Sequence, residues 1–267
     1  MRIGFLIGGL LVAVAVIALL RLGMEFGLGE PEEVTVLPPP APISDSRPPP
    51  PPEPVVEVVS DVVEPPLVLP PLNESDAFIE EALAEFAIPP SWLDRDDLLR
   101  RLAVVVDNAA QGKYPQRQLG FLAPAGKFQI VENSKGIFAN SQNFQRYDPY
   151  LDVLEGIDPG VLATLLEQLE PLLAEALAEL GNRRDSESQL LSAINQILAL
   201  PYVPASVELV QPKVFYEYAD PKLEALSPLQ KQVLRFGPAN VERLKQYLRL
   251  LASELSANVP STRASVP

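Results

Sequence analysis

The sequence contains no cysteine and no histidine. The first absence removes disulfides, thiolate nucleophiles and cysteine-ligated metals, and leaves the chain indifferent to the redox state of its compartment. The second removes the commonest general base near neutral pH and the commonest metal ligand, so most hydrolase and zinc mechanisms fall away. Positive charge is scarce as well: 21 Lys and Arg stand against 35 Asp and Glu, a formal net charge of −14. Nucleic-acid binding needs a basic footprint, which an acidic chain lacks. No recognisable catalytic motif is present, and no cofactor or metal is expected.

Proline is what the chain has in excess, 30 of 267 residues. From Pro31 to Pro71, 15 of 41 residues are proline and none is aromatic. Such a segment cannot bury a core and favours polyproline II, whose rise of about 3.1 Å per residue gives a reach on the order of 120 Å at most. It reads as a spacer, with recognition by an aromatic groove as the alternative. Within it, Val55 to Val63 (VVEVVSDVV) is β-branched enough to add as a strand to a sheet edge.

Ahead of the spacer, residues 3–20 are eighteen uncharged residues between Arg2 and Arg21. That length is the lower end for crossing a hydrocarbon core of about 30 Å. It exceeds the roughly 7–15 apolar residues of a signal peptide, and no small-residue cleavage pattern follows, so it predicts an uncleaved anchor. Arg2 and the terminal amine precede the run, while Arg21 is followed by Glu25, Glu30, Glu32 and Glu33. Only positive charges count for orientation, and the amine with Arg2 outweighs Arg21 by one, which predicts the N-terminus in the cytoplasm and the body outside it. Gly4 and Gly8 form a G-x-x-x-G that would let two spans associate into a homodimer, although glycine is frequent in membrane helices in any case. The organisation read from composition is an anchor over 1–22, an acidic proline-rich linker over 23–72, a helical globular domain over 73–257 and a disordered tail over 258–267.

Helical periodicity governs the body. Asn73 to Asp76 offers caps for a helix carrying Phe78, Ile79, Ala82, Leu83 and Phe86, stopped by Pro89-Pro90. Asp94 offers a cap for a second, with Leu98, Leu99, Leu102, Val105 and Val106 inward and an end near Gly112. Lys127 to Ala139 reads as a hairpin around Ser-Lys-Gly. Asp148-Pro149 and Asp158-Pro159 are helix starts, the second opening a leucine stripe from Val161 to Leu180 with a kink or break at Pro171. A further helix spans about Glu187 to Ala199. Val207 to Tyr218 predicts one extended strand, confined to a sheet edge by Pro212. Asp220-Pro221 and Ser227-Pro228 start short helices. After Gly237-Pro238 the last helix sets Val241, Leu244, Leu248, Leu251 and Leu255 at heptad spacing. The fold class is therefore mainly α with a small antiparallel β element, a hairpin plus an edge strand. A domain of this length is large enough to bury its own core.

The run VELVQPKVFYEYADPKLEALSPLQKQVLRFGPANVERLK (Val207 to Lys245), with RRLAVVVDN (Arg100 to Asn108) and RYDPYLDVL (Arg146 to Leu154), resembles a family of Gram-negative bacterial proteins. That family is catalogued only as a domain of unknown function, with an N-terminal span, a proline-rich linker and this C-terminal domain. The likeness covers about residues 70 to 257. It implies an envelope location and brings no catalytic residue with it.

Several side-chain groups invite a chemical reading. Asp107-Asn108 with Arg100-Arg101 suits a pocket, or else a helix end bridged to a loop. The Asp-Pro carboxylates are explained by capping. Ser227 and Lys231, four apart, have the spacing of a Ser-Lys nucleophile, yet Ser227 directly precedes proline as a cap. Tyr114, Tyr147, Tyr150, Tyr202, Tyr216, Tyr218 and Trp92 line either a groove or a half-buried core. Residues 227–257 carry Lys231, Arg235, Arg243, Lys245 and Arg249 against Glu242 and Glu254, a basic surface with cationic heads expected to be free for an anionic partner. A solvated face is the plainer account of the same charges.

The leading expectation is a non-enzymatic, single-pass inner-membrane protein presenting a periplasmic helical domain to an envelope protein or an anionic envelope component. An envelope hydrolase or transferase using carboxylates or Ser/Lys is the alternative, and a ligand-sensing domain signalling through Gly4 and Gly8 a third. A broad apolar groove rimmed by Arg and Lys favours binding; a deep pocket of convergent carboxylates favours an enzyme.

Overall fold

The computed structural model describes residues 68–93, 95–119 and 127–257. The run containing Gly4 and Gly8, the linker segment Val55 to Val63, Asp94 and the tail from 258 lie outside the described residues. Among the described residues, no helix is long and apolar enough to cross a membrane. The architecture is mainly helical with one small antiparallel sheet, the fold class read from the sequence.

After a single 3-10 turn, Leu72–Glu74, helix α1 spans Ser75–Leu83. It buries Ile79, Ala82 and Leu83 and stops short of Phe86. Pro90 does not stop it but opens a separate turn, Pro90–Leu93, since proline's missing N–H is no loss at a first helical position. The expected caps are also corrected. No side chain from Asn73 to Asp76 caps α1. Instead the Asp76 carboxylate accepts from the Asp97 and Leu98 amides at 2.7 and 2.8 Å, capping helix α2, Leu98–Ala110, from 21 residues away. Asp97 adopts φ 60°, and the carboxylate satisfies two amides that the helix leaves without partners. At its other end α2 closes as predicted: the Gly112 and Lys113 amides donate back to Ala109 and Asn108.

Strands β1 (Ile130–Asn133) and β2 (Gly136–Ala139) form the expected hairpin, with Ile130 opposite Ala139. Helix α3, Asp148–Glu155, follows. Asp148 is not its cap; its Oδ1 instead accepts from Asn240 Nδ2 at 2.7 Å. Asp158 does cap α4, Pro159–Gln168, accepting from the Gly160 and Val161 amides. The leucine stripe breaks at Leu169, before α5, Glu170–Glu179, because Pro171 has no N–H to extend the ladder. The stripe is buried from Leu162 to Leu177. Val161 and Leu180, at its ends, are exposed and do not belong to it. Helix α6 spans Ser186–Leu198, capped by Asp185.

The stretch from Val207 to Tyr218 is the largest departure from expectation. It folds back on itself as β3, Glu208–Val210, and β4, Glu217–Tyr218. Pro212 lies in the loop between them, where its missing donor is no loss. The strand order β1-β2-β3-β4 puts β3 inside the sheet, so that of these two strands β4 alone is at an edge. Helix α7, Pro228–Leu234, begins with a reciprocal capping box between Ser227 and Gln230. Helix α8, Pro238–Ala257, buries the five heptad residues named above. In the packed body α2 lies against α5 and α6, and α8 against α4, α6 and α3.

Candidate functional site

Because Ile137, Leu209 and Tyr218 stand opposite one another, strand alternation puts Ala139, Val207, Tyr216 and Tyr218 on one face of the sheet. That face looks onto the α7–α8 junction and the segment 201–207, and encloses a groove of about 460 Å³. The volume falls within the roughly 300–1,000 Å³ of ligand sites. Leu234 and Val241 line it from the helices, Phe128 and Phe144 from around the first hairpin. The Phe128 and Tyr216 rings lie 6.1 Å apart. At the mouth Tyr202, Val214 and Phe215 are 82, 77 and 80% exposed.

Lys231, Arg235 and Lys245 reach the same groove. Their heads are not simply free, which corrects the sequence expectation. Lys231 is ion-paired with Glu224. Lys245 Nζ donates to the Leu200 carbonyl at 2.8 Å, and Arg235 to Gln232 Oε1 at 3.1 Å. The remaining two cations lie outside the lining: Arg243 clasps Glu155 and Asp152 on α3, and Arg249 pairs with Glu242 at 3.1 Å. The acidic composition explains this, since most cations find a carboxylate within reach.

Glu224 joins three elements. One oxygen takes Lys231, and the other accepts the Tyr218 amide at 3.0 Å. Burial works to raise its pKa, but the Lys231 hydrogen bond, the Tyr218 amide and the charges of Lys231 and Arg235 together hold it below the usual carboxylate range. A depressed carboxylate contributes stability that is complete above its unfolded-state range and is lost as pH falls through the lower folded value. Glu224→Gln is therefore expected to flatten the acid side of the stability profile, read by urea titrations between neutral pH and the carboxylate range; an unchanged acid slope refutes the assignment. Burial pushes the Tyr218 phenol up to about 12, so it stays neutral and serves the groove as a wall.

The other groups singled out in the sequence have structural roles. Ser227 caps α7 through its hydroxyl. Asp107 accepts from Asn182 and Gln111, Asn108 donates to the Val104 carbonyl, and Arg100 bridges Glu179, Asp97 and Asn73, so this group fastens α2 to neighbouring segments. The aromatic residues divide. Trp92, Tyr147 and Tyr150 are buried core and Tyr114 packs against it, whereas Tyr202, Tyr216 and Tyr218 line the groove. Phe128, Val214 and Phe215 escaped the sequence reading. Their signal was large apolar side chains in segments with no helical period. Among the described residues no group of three or more carboxylates is placed to hold a metal ion.

The family model described as a protein of unknown function, DUF3014, matches residues 98–252. The segments that carry the resemblance in the sequence, Arg100 to Asn108, Arg146 to Leu154 and Val207 to Lys245, all fall inside that range. No curated protein and no solved structure matches the chain.

Proposed function

The chain belongs to the DUF3014 family, and from that premise we propose that it is a non-enzymatic interaction protein whose helical domain takes a partner into the groove between the sheet and the α7–α8 junction. One observation carries the reading: an apolar groove edged by Lys231, Arg235 and Lys245 opens onto Tyr202, Val214 and Phe215, large side chains left in solvent at its mouth. Exposed apolar surface beside a concave site marks interaction surfaces. Lining carboxylates Glu224 and Glu242 are committed to ion pairs, which favours binding over the hydrolase or transferase alternative. The apolar run over residues 3–20 and the proline-rich linker support a membrane-anchored protein of the bacterial envelope, with the domain held on the periplasmic side.

Crosslinking in intact cells tests this. A photoreactive amino acid at Phe215 is expected to give a defined adduct with a partner protein, and the same group at Leu250, exposed on α8 away from the groove, is not. Ala139→Trp, which fills the groove from the sheet side, is expected to abolish the Phe215 adduct. Equal adducts at both positions, or one that survives Ala139→Trp, would overturn the proposal.

A further inference from the structure

We infer that the occupant of the groove is a peptide segment of the partner in which large apolar side chains alternate with carboxylates, its apolar groups entering the cavity and its acids meeting Arg235 and Lys245. The inference rests on the interaction reading above and adds the chemistry of what is bound.

Lys231 is neutralised by Glu224, and Glu242 by Arg249. Among the described residues, Arg235 and Lys245 have no carboxylate within ion-pair distance; each makes one neutral hydrogen bond. The remaining lining acid, Glu217, alternates with Tyr216 and Tyr218 along β4 and so stands on the opposite face from them. Counting Arg249, the groove side thus carries two cations in excess of its acids, with Arg235 near enough to Glu224 to help hold that carboxylate charged, in a chain whose net charge is −14. An approaching anion meets net positive charge here, and a cationic segment meets repulsion.

Extent of the apolar surface decides between a peptide and a small amphipathic acid. A small ligand is enclosed by its cavity. Here the walls at Tyr202, Val214 and Phe215 stay largely exposed, so the groove leaves apolar surface open to solvent rather than closing around a ligand. Tyr202 lies between Pro201 and Pro204 in a segment outside any helix or strand, and Gln211 Nε2 donates to the Val214 carbonyl at 3.2 Å. Only a longer occupant covers those residues as well as the cavity. Addition of a further strand at β4 is not the mode, because the Glu224 carboxylate already occupies the outward Tyr218 amide. Recognition therefore falls to side chains.

The test uses the full chain in nonionic detergent, with fluorescein-labelled Gly-Asp-Phe-Leu-Asp-Phe-Gly amide, the same peptide with Lys for Asp, and dodecanoate as competing probes. Anisotropy is expected to show the acidic peptide binding at least about tenfold more tightly than the basic one. Its affinity should fall between about 0.1 and 1 M salt, where the screening length drops from about 10 to 3 Å. Arg235→Glu with Lys245→Gln should abolish the discrimination; Arg235 is exposed, and glutamine keeps a donor for the Leu200 carbonyl. Circular dichroism of that variant verifies the fold, and Arg235→Glu alone supplies a second variant that touches no buried contact. Equal binding of the two peptides, binding of neither, or an affinity unchanged in both variants overturns the inference. Binding of dodecanoate alone overturns it in favour of a small amphipathic acid. A Phe215 adduct that persists beside any of these results leaves the interaction reading standing and rejects only this occupant.

Discussion

Gly237→Ala is expected to destabilise the domain by roughly 2–5 kcal/mol, the sum of a left-handed backbone cost and an overpacking cost. Gly237 links α7 to α8 at φ +82°. Its amide donates to the Leu234 carbonyl, and its own carbonyl accepts the Val241 amide in the first turn of α8. A Cβ added there would lie 2.4 Å from Phe144 Cγ and 2.8 Å from Phe144 Cβ, so the clash involves the root of the side chain and not a flexible end. Phe144 cannot retreat easily: its carbonyl accepts from the buried Asn240 amide group, which also binds Asp148. Asn143 beside it both accepts the Gln129 amide and donates to the Gln129 carbonyl. Gly181 is the control, with φ +78° and no atom within 4 Å of its ideal Cβ. Gly181→Ala should cost only the backbone part, about 1–2 kcal/mol. Urea midpoints of the two variants separate the effects, and equal losses would refute the clash. Since Phe144 and Gly237 both line the groove, partner binding should fall with Gly237→Ala and not with Gly181→Ala.

Local signals made most of the helical layer legible. Asp158-Pro159 and Ser227-Pro228 with Gln230 carry their cap chemistry within four residues, and the structure places the caps there. Pro171 announces its own break. The errors share a different cause. Asp76 sits among residues that could each cap α1, and only the approach of Asp97 from a distant segment recruits it to α2. Val207 to Tyr218 contains strands of three and two residues, too short for a period, and the sheet register that divides them is set by Ile137 and Phe138 some seventy residues earlier.

The candidate site was legible in part for the same reason. Lys231, Arg235 and Lys245 are visible as a charge pattern along two helices. The groove they edge is assembled from segments around Phe128, Tyr202, Phe215 and Val241, none of which signals a cavity alone. Nor does a list of cations reveal that Arg243 turns toward α3 while Arg235, among the described residues, has no carboxylate within ion-pair distance. Ion-pair choice depends on which acids the fold brings near, and an acidic chain offers many candidates.

Phe236→Ala should give a loss of about 3–5 kcal/mol, the range for truncating a large buried aromatic side chain. Phe236 is 2% exposed and stacks on Tyr147 with ring centroids 4.3 Å apart. Tyr147 in turn lies 6.3 Å from Tyr150, and Tyr150 stacks on Trp92 at 5.7 Å. A continuous aromatic row therefore joins the α7–α8 junction to the turn at Pro90–Leu93. Truncation at Phe236 leaves a cavity against the Tyr147 ring, which the well-packed helices fill only partly, so transfer and cavity costs add. Phe236→Leu, which keeps most of the apolar volume but not the ring stacking, should lose distinctly less. With a shift of about 2–4 °C per kcal/mol for a domain of this size, the alanine variant should melt roughly 6–20 °C lower. Because Leu234 and Arg235 belong to the groove, the same collapse should weaken the acidic peptide, while the leucine variant retains it. An alanine variant that melts with the wild type would mean that the row does not support the groove, and that the α7–α8 junction is held by its backbone contacts alone.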